Sequence, residues 1–314
     1  MTFYILKRLL MTVPVMLLVA LFVFLLLRLS PGDPAAVIAG DYATAEDVAR
    51  IRAQLGLDDP IVVQFARWIG SLIQGDLGTS IFSRKPVAEL IGQRLEPTLL
   101  LALTTITFSI LVALPLGTLA AYRAGTWVDR AVMFFSVGGF SVPVFVLGYI
   151  LIYALSLQLG WFPVQGYRSP FEHGLGPFLH HIAMPTLTLS VIYIALIARM
   201  TRASVVETLE EDYVRTARAK GQSEFKVLMR HALRNAAVPI ITVIGIGIAL
   251  LISGVVVTES VYNIPGLGRL VVDAVLARDY PIIQGLILFF AFLYILLNLA
   301  VDLTYCVFDP RIRY

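Results

Sequence analysis

Cysteine is almost absent from this 314-residue chain. Cys306 stands alone, which excludes an intrachain disulfide and a thiolate metal site. Its place at the end of an apolar run suits a small buried hydrophobe. Charge is scarce as well: Asp, Glu, Lys and Arg make up 14% of residues, against about 25% in a typical soluble domain. A phosphate cradle is missing too. A P-loop needs Gly-Lys within GxxxxGK[ST], and no Gly-Lys dipeptide occurs; Lys220-Gly221 runs the other way. Gly266-Leu267-Gly268 is a lone GxG that a turn explains, and there is no HExxH. Of the four histidines, His173, His180 and His181 lie in or beside one loop and read as polar loop residues rather than metal ligands. No series of acids crosses the apolar runs, as an ion-coupled carrier requires, and no run is an Arg-rich voltage sensor. Any task that needs energy must therefore be driven by another protein.

What is plentiful is apolar sequence. Hydrophobic residues make up 58% of the chain and mean hydropathy is +0.84. A spanning helix needs about 20 mostly apolar residues. Six segments qualify: Leu9–Leu27, Thr98–Tyr122, Ala131–Leu159, Ile182–Met200, Ala236–Thr258 and Ile282–Phe308. Lys7 and Arg8 precede the first, but its apolar run is too long for a signal-peptide core and no small-residue cleavage site follows at once. It reads as an uncleaved helix. The expected fold is an all-α membrane protein in the bilayer. Residues 1–28 form the N-terminus and first helix, 29–97 a small helical cap, and 98–314 a five-helix core with a polar loop at 201–235.

Basic residues in short loops set the orientation. Arg123 and Arg130 lie in the 122–131 connection. Arg199, Arg202, Arg215, Arg218, Lys220, Lys226, Arg230 and Arg234 lie in or beside the 200–236 connection. Arg311 and Arg313 mark the tail. The 160–181 loop has only Arg168, and the 259–281 loop only Arg269 and Arg278. Both termini are expected in the cytoplasm. The formal net charge of +3 is distributed by side, with no patch suited to nucleic acid.

The cap at 29–97 reads as three amphipathic helices. Thr44 and Asp47 make a capping-box start, Val48, Ile51 and Leu55 share a face, and Gly56 ends the first. The second follows Pro60 and is expected to bury Val62, Phe65, Ala66, Ile69 and Ile73. Ser83 and Pro86 open the third, with Val87, Leu90, Ile91 and Leu95 inward. Either a landing platform or a shield for the core fits this pattern.

Inside the spans, small residues and prolines stand where charges would be costly. Pro115 and Gly117 mark the second span, Gly245, Gly247, Ala249 and Gly254 the fifth. Gly138, Gly139 and Pro143 interrupt the third and make the best candidate for a bend lining a path. Asp302, about one and a half turns from the end of the last span, is expected to play a structural role, and Glu259 falls at the edge of the fifth.

The polar loop EDYVRTARAKGQSEFKVLMRHALR (Glu211–Arg234) reads as two short helices joined at a glycine. Asp212 serves as N-cap of a helix over Tyr213–Lys220, ended by Lys220 and Gly221. Ser223 caps a second helix with Phe225, Leu228, Met229, Ala232, Leu233 and Ala236 on its apolar face, and Lys226, Arg230 and Arg234 on or near the other. An ordinary basic loop is the alternative reading.

At these residues the chain resembles the membrane permease subunits of type I ABC importers, in the dipeptide/oligopeptide branch. That superfamily carries EAA, three residues, Gly, nine residues, then IxLP. Gly221 takes the glycine position, Arg215-Thr216-Ala217 the EAA slot, and His231-Ala232-Leu233-Arg234 the IxLP slot, with Arg234 in place of proline. The branch's own wording is intact at RTARAKG (Arg215–Gly221) and HALRNA (His231–Ala236). Further branch-like stretches are SPGDP at Ser30–Pro34, LGLDDP at Leu55–Pro60, GDLGTS at Gly75–Ser80, PGLGRL at Pro265–Leu270 and the ending DPRIRY.

The resemblance implies half of an importer's membrane domain in a bacterial inner membrane. A second, homologous permease would complete the path, two cytoplasmic ABC ATPases would drive it, and an extracytoplasmic binding protein would deliver the solute. It implies no enzymatic activity and no cofactor on this chain, ATP and Mg being held by the ATPases. Coupling would fall on Arg215, Ala217, Arg218, Ala219, Lys220, Gly221 and Gln222. The branch carries dipeptides, longer peptides, glutathione, nickel and some opines or sugars, with peptide the first expectation. A secondary carrier, a channel subunit and an intramembrane enzyme are the competing readings. Each lacks a feature here: coupling carboxylates, a need for the RTARAKG loop, or a convergent catalytic set.

Overall fold

The structure is a computed structural model describing residues 2–29, 35–36, 44–54 and 56–308. The SPGDP stretch, Leu55 and the DPRIRY ending lie outside the described residues, as do the side chains of Asp302 and Cys306. Regular structure among the described residues is helical, with one isolated β-bridge between Thr79 and Pro86. They fall into two compact units: Met1–Leu95 with Leu270–Ile295, and Glu96–Arg269 with Leu296–Tyr314.

In the first unit, helix α1 (Thr2–Leu29) is followed by α2 (Ala45–Gln54) and α3 (Ile61–Ile73). Thr44 and Asp47 cap α2 reciprocally: the Asp47 N–H donates to Thr44 Oγ1 and the Thr44 N–H to Asp47 Oδ2, both at 3.2 Å. The Thr44 hydroxyl also donates to Asp47 Oδ2, at 2.7 Å. These two bonds from Thr44, the hydroxyl's first, hold the Asp47 carboxyl below the usual carboxylate range. Helix α3 turns differently from its expected face. Val62 and Ile73 are 77% and 82% exposed, Ala66 is exposed, and Phe65 and Ile69 are half-buried. Gln64 is buried instead, because its amide donates to the Leu57 and Asp59 carbonyls at 3.0 and 2.7 Å. Phe65 and Trp68 pack on Phe24 of α1, with ring centroids 5.1 and 5.6 Å apart.

A separate third cap helix does not form. Helix α4 runs unbroken from Val87 to Tyr122 and takes the expected cap segment and the second span into one rod through Pro97 and Pro115. Close to its start, the Ser80 hydroxyl donates to Asp279 Oδ2 at 2.6 Å, with both residues buried. Asp279 thereby pins the 78–87 turn to the segment preceding the last helix.

The third span is broken. Helix α5 (Trp127–Ser141) stops at Val142, and Pro143 opens α6 (Val144–Leu151), which continues as a π-helical stretch over Ile152–Gln158. The two arms meet at 103°. A short helix α7 (Pro170–His173) precedes α8 (Leu175–Leu209), and α9 (Asp212–Ala219) and α10 (Glu224–Lys226) form the polar loop. Then come α11 (Ala237–Val261), α12 (Leu267–Ala277) and α13 (Tyr280–Phe308). Among the described residues four helices are long and apolar enough to cross a membrane, or five when the bent α5–α6 pair is counted as one span.

The core of the second unit surrounds α8. Of its apolar stretch 61% is buried, against 22–28% in the other long spans. Neighbours reach it through glycine. A Cβ on Gly117 of α4 would lie 2.5 Å from the Ala198 carbonyl oxygen, one on Gly139 of α5 3.0 Å from Val191 Cγ1, and one on Gly254 of α11 2.8 Å from Leu189 Cδ1. Close backbone approach of this kind holds helices together in lipid, where apolar burial alone gives little advantage. Many hydroxyls in these helices donate to a carbonyl one turn back, as Thr188 does to Met184 at 2.9 Å. Thr105, Ser109, Thr118 and Thr201 are buried without a partner for their side-chain oxygens.

Gly117→Ala forces helices apart and should lower stability by about 1–3 kcal/mol through overpacking. Gly138→Ala, with nothing within 4 Å of the added carbon, should instead gain up to ~1 kcal/mol from helix propensity. Thermal midpoints of the purified chain in one detergent would show the opposite signs.

Candidate functional site

The polar loop closes into a tight corner. Lys220 ends α9, and Gly221 follows at φ +76. The Gln222 N–H donates to the Ala217 carbonyl at 3.3 Å and the Gly221 N–H to Arg218 at 2.9 Å, the paired bonds of a Schellman ending. Only glycine takes such a φ without penalty. The N-cap position of α9 is Glu211 rather than Asp212, which is the first helical residue. Ser223 starts the second helix without a side-chain cap bond.

A charged fork braces this corner from outside. Arg218 Nε and Nη2 donate to Glu224 Oε1 and Oε2 at 2.9 and 3.2 Å, straddling Gly221. Beneath it, Val214, Ala217 and Val227 pack together against Leu209 of α8. Asn235 donates to the Tyr213 hydroxyl at 2.7 Å, tying the far end of the loop to α9.

The second helix keeps most of its expected face: Ala232 and Ala236 are buried and Leu228 and Leu233 pack against them, while Phe225 and Met229 do not. It passes into a π-helical turn over Val227–Ala232, so the buried positions are Val227, Ala232 and Ala236, at steps of five and four. A regular helix would have buried Phe225 and Met229; the wider turn leaves them 73% and 44% exposed.

The structure therefore brings Arg215, Arg218, Ala219, Lys220, Gly221 and Gln222 together as one exposed surface, with Ala217 beneath it in the small core. That surface offers cations, a fork and an apolar ring, and no cluster of metal-ligating side chains occurs among the described residues. Gly138, Gly139 and Pro143 lie elsewhere, and unequally. Gly138 is open, Gly139 is pressed on α8, and Pro143 sits at the α5–α6 break.

Besides Ser80–Asp279, two buried polar clusters escaped sequence reasoning. Glu259 is fully buried; Thr98 donates to its Oε1 at 2.6 Å, the Arg269 N–H to its Oε2 at 3.0 Å, and the Leu267 N–H to Thr98 at 2.8 Å. The carboxylate thus receives the first turn of α12, as an N-terminal helix dipole favours. Asp129 is likewise buried and paired with Arg202. The one available signal was an acid beside the basic residues of a short loop.

An apolar helical bundle with a bent helix pair and a braced polar corner fits one class: an α-helical membrane permease. The chain belongs to the family of binding-protein-dependent transport system inner membrane components. That family matches residues 113–314, and its N-terminal membrane component matches residues 1–102. A probable peptide ABC transporter permease of Sinorhizobium fredii is 56% identical over 311 residues, 99% of each chain. The glutathione transport system permease GsiC of Salmonella paratyphi A is 47% identical over 311 residues, also 99% of each. A putative peptide transport system permease of Brucella abortus is 46% identical over 314 residues, the whole of both chains. The fold is similar to that of an inward-facing MetNI methionine ABC transporter, at TM-score 0.56 and 17% identity, covering 71% of this chain and 97% of that one.

Gly221→Ala should cost about 1–2 kcal/mol, the left-handed penalty alone, since nothing lies within 4 Å of its added carbon. Gly266→Ala should cost more, because the new carbon would sit 2.1 Å from Glu259 Oε1 and displace a buried carboxylate from its donors. Thermal midpoints of the two variants, compared side by side, check that order.

Proposed function

We propose that this chain is one permease subunit of an ATP-driven importer for di- or oligopeptides. A homologous permease completes the path, two cytoplasmic ATPases carry ATP and Mg, and an extracytoplasmic binding protein delivers the solute. The observation that carries this reading is full-length similarity to relatives named as peptide permeases, the Sinorhizobium fredii protein at 56% identity among them. The polar corner supports it: a rigid, exposed, basic surface anchored on the most buried helix is suited to receiving force from a soluble partner. In this reading the α1 helix is the sixth span, both termini are cytoplasmic, and the 29–97 segment caps the outer face.

The break at Val142–Pro143 is the proposed lining of the path. Helix α5 ends there with Gly138, Phe140, Ser141 and Val142 exposed. Irregular backbone at membrane depth is tolerated where protein or water satisfies it and not where lipid surrounds it. An opening that water reaches meets that need. GsiC, whose name specifies glutathione, marks a short peptide-like thiol as the second substrate class to test. Mass spectrometry of the ligand copurifying with the cognate binding protein decides between them.

Single cysteines at Gly221 or Arg313, in a chain with Cys306 replaced, should label only from the cytoplasmic side, and one at Asp59 only from outside. Efficient outside labelling at Gly221 would reverse the topology.

The chain alone should hydrolyse no ATP. Reconstituted with partner permease and ATPases, it should support hydrolysis stimulated by the loaded binding protein, and solute uptake should follow ATP rather than an ion gradient. Gly221→Val should reach the membrane normally yet lose most uptake per assembled complex, with Gly221→Ala milder. Normal uptake by Gly221→Val would remove the corner from coupling.

A further inference from the structure

Helix α5 begins with an ion pair that neither the corner nor the break requires. Asp129 is 4% exposed, a carboxylate almost wholly out of contact with solvent. Its Oδ2 accepts from the Gly125 N–H at 2.9 Å, a local bond of the kind that caps a helix start. It also receives two donors from another helix. Arg202 of α8 donates through Nε to Oδ1 and through Nη2 to Oδ2, the latter at 2.7 Å. Capping α5 needs only the first contact. The fork has a different consequence: two parallel charged bonds fix both distance and rotation between the helices that carry them.

Other contacts join the far end of α5 to α8. The Arg199 guanidinium lies 5.3 Å from the centroid of the Phe140 ring. Gly139 is pressed against Val191 and Ala195. Asp129–Arg202 thus holds the start of α5, and these contacts hold its end, next to the break. Seven residues beyond Arg202, Leu209 supports the Val214, Ala217 and Val227 core of the polar corner. Packed contacts run from the corner through α8 to α5 without leaving the second unit.

We propose that Arg202 and Asp129 are the positioning pair that makes α5 follow α8, so that displacement of the corner reaches the break at Val142–Pro143. The inference rests on the importer reading. A pair of this kind, with Asp129 buried and Arg202 half-buried, is a poor source of stability compared with apolar packing, but it enforces one geometry and penalises every other. Without the fork, α5 is held to α8 only near Gly139 and Phe140 and can turn about that contact, so the break follows α8 incompletely while hydrolysis continues.

The test uses the complete reconstituted transporter with its loaded binding protein, measuring ATP hydrolysis and uptake in the same vesicles. Arg202→Gln and Asp129→Asn keep shape and remove the charge pairing. Each should assemble and retain stimulated hydrolysis, while uptake per ATP falls about tenfold, an ordinary size for coupling between sites. The combination Asp129→Asn with Arg202→Gln should be no worse than the more impaired single variant, because both remove one interaction. Arg202→Lys keeps the charge without the fork and should fall between. Unchanged uptake per ATP in an assembled Arg202→Gln transporter overturns the proposal. So does a parallel fall in hydrolysis and uptake with a lowered thermal midpoint, the signature of a clamp that serves stability alone. Should Arg202→Gln fail to assemble, Arg202→Lys decides, and full coupling there counts against the pair. Failure of the unsubstituted transporter to take up solute with ATP would strike the importer reading instead.

Discussion

In water, burying apolar side chains drives helices together; in lipid that gain largely disappears, and close contact must replace it. The second unit meets this constraint around one helix. Leu175–Leu209 is approached through Gly117, Gly139 and Gly254, each on a different neighbour and each at a spacing that a methyl group would violate. Tyr193 of the same helix lies along Gly247. The remaining features follow from having such an axis. The corner is seated on Leu209, the broken span is pressed on Val191 and Ala195, and the Tyr262 hydroxyl meets Thr188 at 2.7 Å.

Buried acids are few among the described residues of either unit, and each fixes a junction. Glu259 receives the start of α12, Asp129 the guanidinium of Arg202, and Asp279 the hydroxyl of Ser80. All three carboxylates are buried. An acid held this way resists rearrangement, because any new packing must provide equivalent donors. The Thr105, Ser109, Thr118 and Thr201 hydroxyls are the opposite case. Their oxygens have no partner, so the interface they line gives up little hydrogen bonding if the packing changes.

What the sequence made legible was local. The Gly221 corner follows from a basic turn, a glycine and a capping residue within a few positions, and the capping box at Thr44 and Asp47 from two residues three apart. Apolar length likewise marked the long helices. What it hid depended on partners distant in sequence. Nothing near Asp129 announces Arg202, 73 positions on, and nothing near Glu259 announces Thr98, 161 positions back. Facial patterns failed where local geometry departed from a regular helix or a polar side chain found a better site. The π-helical turn left Phe225 and Met229 exposed and buried Val227, with Ala232 buried as expected, and Gln64 turned inward to reach two carbonyls. Length misled once as well. The expected third cap helix and the second span are one element, because Pro97 does not interrupt the rod.

The central helix has 35 residues, which at 1.5 Å per residue is a rod of about 52 Å. The hydrocarbon layer accounts for about 30 Å of it, so some 20 Å stands beyond the oily slab. A continuous helix, even with Pro185 inside it, converts angle into travel. Tilting it by about 5° around one end carries the other roughly 4–5 Å, more than a hydrogen bond's length, without melting a single turn. A transporter built on such an arm needs only a small swing at its motor, and gears rather than elasticity describe how that swing is passed on.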